Sequence, residues 1–398
     1  MRFEFATAGR VVFGPGTLAG VASVAREFGR HALVVTGRSA DRARRLRDLL
    51  AGAGVTATTF AVAGEPTLDD ITRGTAQARA AGSDFVIGFG GGAAVDAAKA
   101  VSALLTNGGD LPDYLEVVGR ARPLAAPAAP CIAIPTTAGT GAEVTRNAVL
   151  CSPAHRVKVS LRSPHLLPRL AIVDPELAHD LPPALTASTG LDALTQLIEP
   201  FVSCRSNPLT DPLCVDGLRR VARSLRAAWE NGRTAAARED MALASLFGGF
   251  ALANAGLGAV HGFAGPVGGM FPAPHGAVCA ALLAPVMAAN LRALRARLPG
   301  HDALRRYEEI ARLLTGGARA TADDGVRWVA RLVADLHIPS LAAHGVSRAD
   351  FPALAEAAAR ASSMKANPLP LTPEELTEFL DRARLGRRWP TPGMRPGI

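Results

Sequence analysis

Apolar and polar positions follow two different patterns in the two halves of the chain. Through residue 180, short apolar runs rich in β-branched residues alternate with helix-length segments, which is typical of parallel strands joined by crossover helices. From residue 181 onward the strand-like runs stop, and apolar residues recur at helical spacing with Ala and Leu dominant. The sequence therefore predicts an α/β domain with a parallel sheet over residues 1–180 and an all-helical domain over residues 181–398.

The individual elements follow from the same pattern. Residues 3–5 and 11–13 are expected to form an opening hairpin, and the end of the chain, residues 387–398, a loose Pro-, Gly- and Arg-rich tail. Further strands are predicted over residues 32–36, 55–62, 85–88, 132–134, 147–150, 157–161 and 171–173. Helices are predicted over residues 40–53, 68–81, 185–203, 210–231, 235–256, 276–297, 303–315, 322–336 and 348–361.

Chain length, charge and cysteine content indicate which classes of protein this chain could belong to. A chain of 398 residues is long enough for two apolar cores. The net charge of +8 comes almost entirely from arginines along predicted helices, with few aromatic residues between them, so we expect a solvated surface and no nucleic-acid partner. The five cysteines are scattered and form no CxxC pair, and the N-terminus lacks a secretion signal, which together indicate a cytoplasmic protein.

One long stretch carries no charge. Residues 241–291 contain no Asp, Glu, Lys or Arg, and by length alone they would admit a membrane span. The stretch is dense in glycine and contains several prolines, Asn254 and two histidines. We therefore expect buried core helices here and no membrane partner.

A glycine triplet follows the predicted strand 85–88. Gly90-Gly91-Gly92 leads into an amphipathic helix. Glycine allows the backbone to approach a pyrophosphate closely, and the free N–H groups and dipole at a helix start favour its negative charge. A tight strand-to-helix turn without a ligand needs similar residues, so the triplet alone leaves both interpretations open.

A second loop of similar character follows the strand 132–134. Residues 135–143 combine three threonines with glycine and alanine directly after an apolar run. Two such loops after neighbouring strands indicate a crevice at the carboxyl edge of the sheet, where open α/β sheets bind ligands. The two loops together predict a dinucleotide site.

The helical half contains a set of residues suited to a metal. Asp192 and Gln196 lie on one face of a predicted helix, and His261 and His275 both fall in the charge-free stretch, each followed by glycine. A carboxylate with two imidazoles suits divalent zinc or iron and leaves positions for water or a substrate oxygen. The alternative is a pair of core histidines with ordinary hydrogen-bond partners.

With these motifs in place, the chain resembles the iron-containing (group III) alcohol dehydrogenase family over nearly its whole length. The resemblance implies a dinucleotide-binding α/β domain, a helical domain, a site in the cleft between them, and often a homodimer. It rests on Gly90-Gly91-Gly92 with Asp96 and Lys99, Pro135-Thr136-Thr137 with Gly141 and Glu143, Lys158, Asp174-Pro175, Gly190 to Leu194, Gly258 to Gly262, and Pro274-His275-Gly276.

The resemblance also implies a metal site and exposes two departures from it. The family usually binds its metal with one Asp and three His, and one of the histidine positions falls on Gln196. A further histidine of the active-site proton path commonly stands where this chain has Gly265. Related glycerol dehydrogenases use an acidic residue and two histidines around zinc, so Asp192, His261 and His275 form a sufficient catalytic and metal-binding set. Gln196 is kept as a fourth candidate ligand, and Fe2+ and Zn2+ both remain open.

The cofactor is expected to be NAD(P). After the strand 32–36, where NAD-preferring relatives carry an acidic residue, this chain has Gly37-Arg38-Ser39, so NADP is expected to be used at least as well as NAD. The predicted cofactor-binding residues are Gly37, Arg38, Gly90, Gly91, Gly92, Ala93, Asp96, Thr136, Thr137, Thr140, Thr145 and Lys158.

The substrate is expected to be a small-molecule alcohol, aldehyde or oxo acid. Arg146 and Arg162 are candidates to bind a carboxylate, although both residues are typical of a protein surface. Three alternatives remain open at this point. They are a metal-independent reductase of the maleylacetate type, a lyase on the dehydroquinate synthase scaffold, and a cofactor-binding protein that has lost catalysis.

Overall fold

The first half of the chain forms a six-stranded parallel sheet. The structure is a computed structural model and describes residues 2–386, so the predicted tail lies outside the described residues. The strands are β1 (Val11–Phe13), β2 (His31–Thr36), β3 (Thr56–Ala61), β4 (Phe85–Gly90), β5 (Cys131–Pro135) and β8 (Leu170–Val173). Their spatial order is β1-β8-β5-β4-β2-β3, and every pairing is parallel.

Helices cover both faces of this sheet because its strands are apolar on both sides. Successive residues of β2 point to opposite faces, so Leu33 joins one apolar cluster and Val34 the other. The first cluster packs under α3 (Leu68–Ala80) and α4 (Gly92–Thr106). The second packs under α1 (Val21–Phe28) and α2 (Arg44–Gly52). The predicted α/β class of this half is confirmed.

The predicted opening hairpin is wrong. Strand β1 pairs in parallel with β8, and residues 3–5 are not in a strand. The segment before β1 instead bonds to the helical half, where the Asn254 side chain accepts from Ala6 N at 2.6 Å and donates to Ala6 O at 3.0 Å. A partner more than 240 residues away thus satisfies the backbone of Ala6, directly after the segment predicted as the first strand.

Two further predicted strands do not join the parallel sheet. β6 (Asn147–Ser152) and β7 (Val157–Arg162) pair with each other in a separate antiparallel hairpin. This hairpin packs against α4 on one side and against the helical half on the other. The hairpin therefore places Lys158 at the boundary between the two halves.

The second half is all-helical, as predicted. Its core is built around α5 and α9, whose side chains are buried along most of their length. The helices are α5 (Pro183–Val202), α6 (Thr210–Glu230), α7 (Ala235–Ala255), α8 (Ala259–Met270), α9 (His275–Arg297), α10 (Asp302–Thr315), α11 (Ala322–Asp335), α12 (Phe351–Arg360) and α13 (Pro373–Leu385). Helix α9 is long and apolar enough to cross a membrane, but 83% of its most apolar window is buried within the protein, which is typical of a core helix.

The sequence pattern missed helices α1, α8 and α13. Helix α8 contains Pro266 and several glycines, which lower helix propensity, and tertiary packing overrides that preference. Helix α13 begins with a capping box in which Thr372 and Glu375 satisfy each other's backbone N–H groups, a signal that was available in the sequence.

Glycines allow the two halves to pack closely. Gly141 has φ 60°, and a Cβ atom on it would lie 2.4 Å from Gly249 Cα on α7. A Cβ on Gly139 would lie 2.7 Å from Thr189 Cβ on α5. The loop after β5 therefore rests directly on α7 and on α5, the helix that carries Asp192 and Gln196.

Candidate active site

The predicted dinucleotide residues converge where β2, β4 and β5 end. Gly90 is in register with Pro135, and Thr136 N donates to Gly90 O at 2.8 Å. A Cβ on Gly90 would lie 3.3 Å from Gly37 N, so the loop after β2 reaches the same point. The three chain segments form one crevice at the carboxyl edge of the sheet, where ligands of open α/β sheets bind.

The start of α4 is open and lined by hydroxyl groups. No side chain caps this helix at Gly91, so its first N–H groups, including that of Ala93, are available to an anion. A Cβ on Gly92 would lie 2.6 Å from Thr140 Oγ1, and one on Gly91 would lie 3.5 Å from Thr137 Oγ1. A side chain at position 92 would therefore collide with Thr140, and glycine keeps this hydroxyl close to the start of the helix.

Asp96 and Thr145 lie beneath this crevice in a buried network around Lys99. The Lys99 ammonium is fully buried and lies 2.9 Å from Asp96 Oδ1. It donates to Ala142 O at 2.9 Å, to Thr145 Oγ1 at 3.0 Å, and also to Asn147 O. These contacts fasten the loop after β5 to α4. Asp96 and Thr145 therefore reach the cofactor region through Lys99 and the backbone it holds.

Arg38 and Lys158 both contact the segment between β3 and α3, at Ala63 and Glu65. Arg38 is exposed beyond β2, and its guanidinium donates to Ala63 O at 3.3 Å. Lys158 is nearly buried, with its ammonium 2.6 Å from Glu65 Oε1 and packed against Gly268 of α8. Arg38 is thus free to turn towards a ligand, while Lys158 stands at the boundary with the helical half.

Asp192, His261 and His275 meet at one point, although 69 and 83 residues separate the histidines from the aspartate. Asp192 Oδ1 lies 3.5 Å from His261 Nε2 and 3.7 Å from His275 Nε2. Asp192 is 1% exposed, and this oxygen has no hydrogen-bond partner among the described residues. An unpartnered buried carboxylate oxygen facing two imidazoles is the arrangement that a divalent cation would satisfy.

The protonation states of Asp192 and His275 fit metal binding. Burial raises the pKa of Asp192, but His275, His261 and Gln196 outweigh it and lower that pKa to about 2. Burial lowers the pKa of His275 to about 4, aided by the nearby Lys158 ammonium. At neutral pH Asp192 is therefore ionised and His275 neutral, which are the forms that coordinate metals.

Glu199 orients His261 and was missed by sequence reasoning. Its Oε2 lies 2.6 Å from His261 Nδ1, and its Oε1 accepts from Val260 N at 2.7 Å. Burial lowers the pKa of His261, but Cys279, Asp192 and Glu199 outweigh it and hold that pKa well above its usual value. With Nδ1 held by Glu199, Nε2 is directed towards Asp192, as in carboxylate–histidine–metal sites. Glu199 follows Asp192 by seven residues on the same face of α5, and this spacing is a sequence signal that could have indicated its place in the site.

Cys279 is the second residue that the sequence did not single out. One turn after His275 on α9, it places Sγ 3.7 Å from His275 Nε2 and 3.8 Å from His261 Nε2. One ligand atom from each of Asp192, His261, His275 and Cys279 lies within 4.8 Å of all the others. Burial raises the pKa of the Cys279 thiol to about 12 in the metal-free protein.

The two departures from the family pattern also have clear positions. Gln196 is 2% exposed on α5, and its Oε1 has no hydrogen-bond partner among the described residues. A Cβ on Gly265 would meet nothing within 4 Å, so open space replaces the side chain of the family's histidine there. Neither position supplies an imidazole to the site.

Comparison with known proteins gives the family. The profile described as "Iron-containing alcohol dehydrogenase" matches residues 8–175. The profile "Fe-containing alcohol dehydrogenase family, C-terminal" matches residues 186–384. The chain is 35% identical to 1,3-propanediol dehydrogenase of Klebsiella pneumoniae over 382 residues, which cover 93% of this chain and 96% of that protein.

Solved structures agree with this result. A 1,3-propanediol oxidoreductase superposes with a TM-score of 0.89 at 32% identity, covering 96% of this chain and all of that one. Sulfoacetaldehyde reductase from Bifidobacterium kashiwanohense, in complex with NAD+, superposes with a TM-score of 0.84 at 25% identity, covering 96% and 99%.

Fold, site and relatives define the protein as a nicotinamide-dependent oxidoreductase. The chain belongs to the iron-containing alcohol dehydrogenase family and is an alcohol dehydrogenase, which implies small-molecule alcohol or aldehyde substrates. The family implies a nicotinamide cofactor and a divalent metal, and the residues brought together here fit both. The lyase and the inactive binding protein that the sequence had left open are set aside.

Proposed function

We propose that hydride passes between NAD(P) in the crevice at α4 and an alcohol or aldehyde held beside a divalent metal on Asp192, His261 and His275. The observation that carries the proposal is the buried Asp192 Oδ1, which lacks a hydrogen-bond partner among residues 2–386 and faces both imidazoles. A bound metal would act as a Lewis acid that stabilises negative charge on the substrate oxygen. Glu199 fixes the tautomer and direction of His261.

The two sites are close enough to act together. Gly139 packs on Thr189, which is one turn before Asp192 on α5, and the Lys158 ammonium influences the pKa of His275. The side chain of His275 is 33% exposed, whereas those of Asp192 and His261 are 2% and 7% exposed. A substrate would therefore approach on the His275 side, between the metal and the nicotinamide.

Metal removal tests the proposal. Exhaustive chelation should lower NAD(P)H-linked alcohol oxidation by roughly a thousandfold, because a Lewis acid supplies several kcal/mol of charge stabilisation. Re-addition of Zn2+ or Fe2+ should restore it, and binding of NADPH, followed by fluorescence, should persist throughout. Full activity in protein shown by elemental analysis to be metal-free would instead favour the maleylacetate type of reductase.

The same proposal assigns Arg38 to the 2′-phosphate of NADP. Arg38 is exposed at the end of β2, and no carboxylate stands in Gly37-Arg38-Ser39 to bond ribose hydroxyls or repel a phosphate. Arginine binds phosphate through charge-assisted hydrogen bonds. These features support use of NADP at least as well as NAD.

Arg38→Ala should lower kcat/KM for NADP roughly 10- to 100-fold and change that for NAD little, since a charged hydrogen bond contributes about 1.5–3 kcal/mol. The matched control is Arg44→Ala, which removes another exposed arginine, one that pairs with Asp41 and with no other acidic residue among residues 2–386. Equal losses for both cofactors would refute the role given to Arg38.

Substrate preference is proposed to favour uncharged alcohols and aldehydes over oxo acids. Arg146 lies 3.1 Å from Glu4 and Arg162 lies 3.1 Å from Glu116, so both arginines already have carboxylate partners. Homodimer formation and a cytoplasmic location remain predictions from the sequence.

A further inference from the structure

We propose that Cys279 is a fourth protein ligand of the metal, bound as a thiolate, so that the site is Asp192, His261, His275 and Cys279. The inference rests on the metal site proposed above and adds a ligand to it. Cysteine is absent from the one-Asp, three-His set that the family resemblance implies. Where the family has a histidine on α5, this chain has Gln196. The fourth ligand would thus come from α9.

The distances match a tetrahedral metal site. Zinc bonds of about 2.0–2.3 Å place ligand atoms roughly 3.3–3.8 Å apart along the edges of a tetrahedron. Four of the six edges are 3.5 Å and 3.7 Å from Asp192 Oδ1 to the two imidazoles, and 3.8 Å and 3.7 Å from Cys279 Sγ to the same nitrogens. The two remaining edges are within 4.8 Å. The side chains therefore already stand at ligand spacing.

A second observation is independent of the cysteine. Asp192 Oδ1 is buried without a hydrogen-bond partner among the described residues. Unsatisfied buried carboxylate oxygens are rare in folded proteins. A cation at the centre of the four atoms would satisfy Asp192 and use the thiol at the same time.

The surroundings of Cys279 distinguish it from an ordinary core cysteine. Its Sγ has the imidazoles of His261 and His275 as neighbours, and it is 0% exposed. Cys214 on α6 is equally buried and belongs to the same apolar cluster as Cys279, but the metal-ligand group found among the described residues contains only Cys279 of the two. Burial alone therefore does not explain why the Cys279 sulfur faces two nitrogen ligands.

Coordination involves no change of oxidation state. The S–H bond breaks, the sulfur–metal bond forms with the electron pair left on sulfur, and the proton leaves to solvent. A thiolate makes the ligand set softer than carboxylate and imidazole alone. The site should consequently prefer Zn2+ over Fe2+ more strongly than a site of one aspartate and three histidines.

Cobalt substitution tests the proposal by spectroscopy. The protein is purified, its metal is exchanged for Co2+ under anaerobic reducing conditions, and absorption is recorded. Wild type should show visible d–d bands and a near-ultraviolet thiolate-to-cobalt charge-transfer band. Cys279→Ala should lose the charge-transfer band and bind Zn2+ roughly 100-fold or more weakly, since even outer-shell partners contribute 10- to 100-fold.

Three further variants test whether the charge-transfer band comes from the Cys279 sulfur. Cys214→Ala should keep the charge-transfer band, because its sulfur lies elsewhere in the core. Gln196→Ala should also keep it. Cys279→Ser, with nearly the same volume, should behave like Cys279→Ala, and circular dichroism should show that each variant is folded.

The outcomes separate this proposal from the one on which it rests. Cobalt bound with d–d bands but without a charge-transfer band in wild type would refute Cys279 as a ligand and leave the three-residue site intact. A band that survives in Cys279→Ala would refute it equally. Failure of wild type to bind cobalt or zinc at all would overturn the metal site itself.

Discussion

Replacing His261 by alanine should remove bound metal and turnover together while leaving cofactor binding intact. His261 contributes Nε2 to the cluster, and its Nδ1 is held by Glu199 at 2.6 Å, so alanine removes a ligand that is already oriented. The variant should contain less than about one tenth of the wild-type metal, since loss of a direct ligand exceeds the 10- to 100-fold effect of outer-shell partners. Alcohol oxidation should fall by roughly a thousandfold or more.

The measurement combines elemental analysis, steady-state kinetics and NADPH binding on the same preparation. Retained NADPH affinity is the internal control, because the crevice at α4 is built from the other half of the chain. A variant that keeps both its metal and its activity would contradict the assignment of Asp192, His261 and His275. A variant that loses NADPH binding as well would indicate that His261 acts on the fold.

Lys99→Met should destabilise the dinucleotide-binding half by about 3–5 kcal/mol, the effect of leaving one partner of a buried ion pair unpaired. Lys99 is fully buried, 2.9 Å from Asp96, and it donates to backbone carbonyls on both sides of the loop after β5. Methionine nearly conserves the volume, so the change isolates the charge and its hydrogen bonds. Tm should fall by roughly 10 °C.

Thermal denaturation followed by circular dichroism measures this effect. Arg360→Ala is the control, because its pair with Glu356 is about 71% exposed on both sides and exposed pairs contribute little. The double variant Lys99→Met with Asp96→Asn should recover part of the lost stability, since no charge is then left unpaired. An unchanged Tm in Lys99→Met would show that this network does not hold the loop.

Much of the local structure could be predicted because it depends on residues that are close in the chain. The run from Phe85 through the glycine triplet to Lys99 predicts a strand, a turn and a helix, and β4 and α4 follow. The helices from α5 to α12 also follow their periodicity within a few residues, apart from the glycine-rich α8. Backbone hydrogen bonds inside a helix join residues four apart, so a short window contains the information.

Pairings across the chain could not be predicted in this way. Residues 11–13 have the composition of a strand in any context, but their parallel partner Ala171–Val173 lies about 160 residues away. Likewise the sequence does not reveal that Lys99 contacts both Asp96 and Thr145, because Thr145 is 46 residues from Lys99 in the chain.

For the candidate site, the sequence by itself determined the carboxylate, the two histidines and the glycine turn, because each belongs to a compact local motif. Only the tertiary structure decided that Glu199 and Cys279 belong with them, since crossing helices α5, α8 and α9 bring these groups within hydrogen-bond or ligand distance. Such contacts depend on where helices cross, which is set by packing over the whole core and is not contained in any one segment.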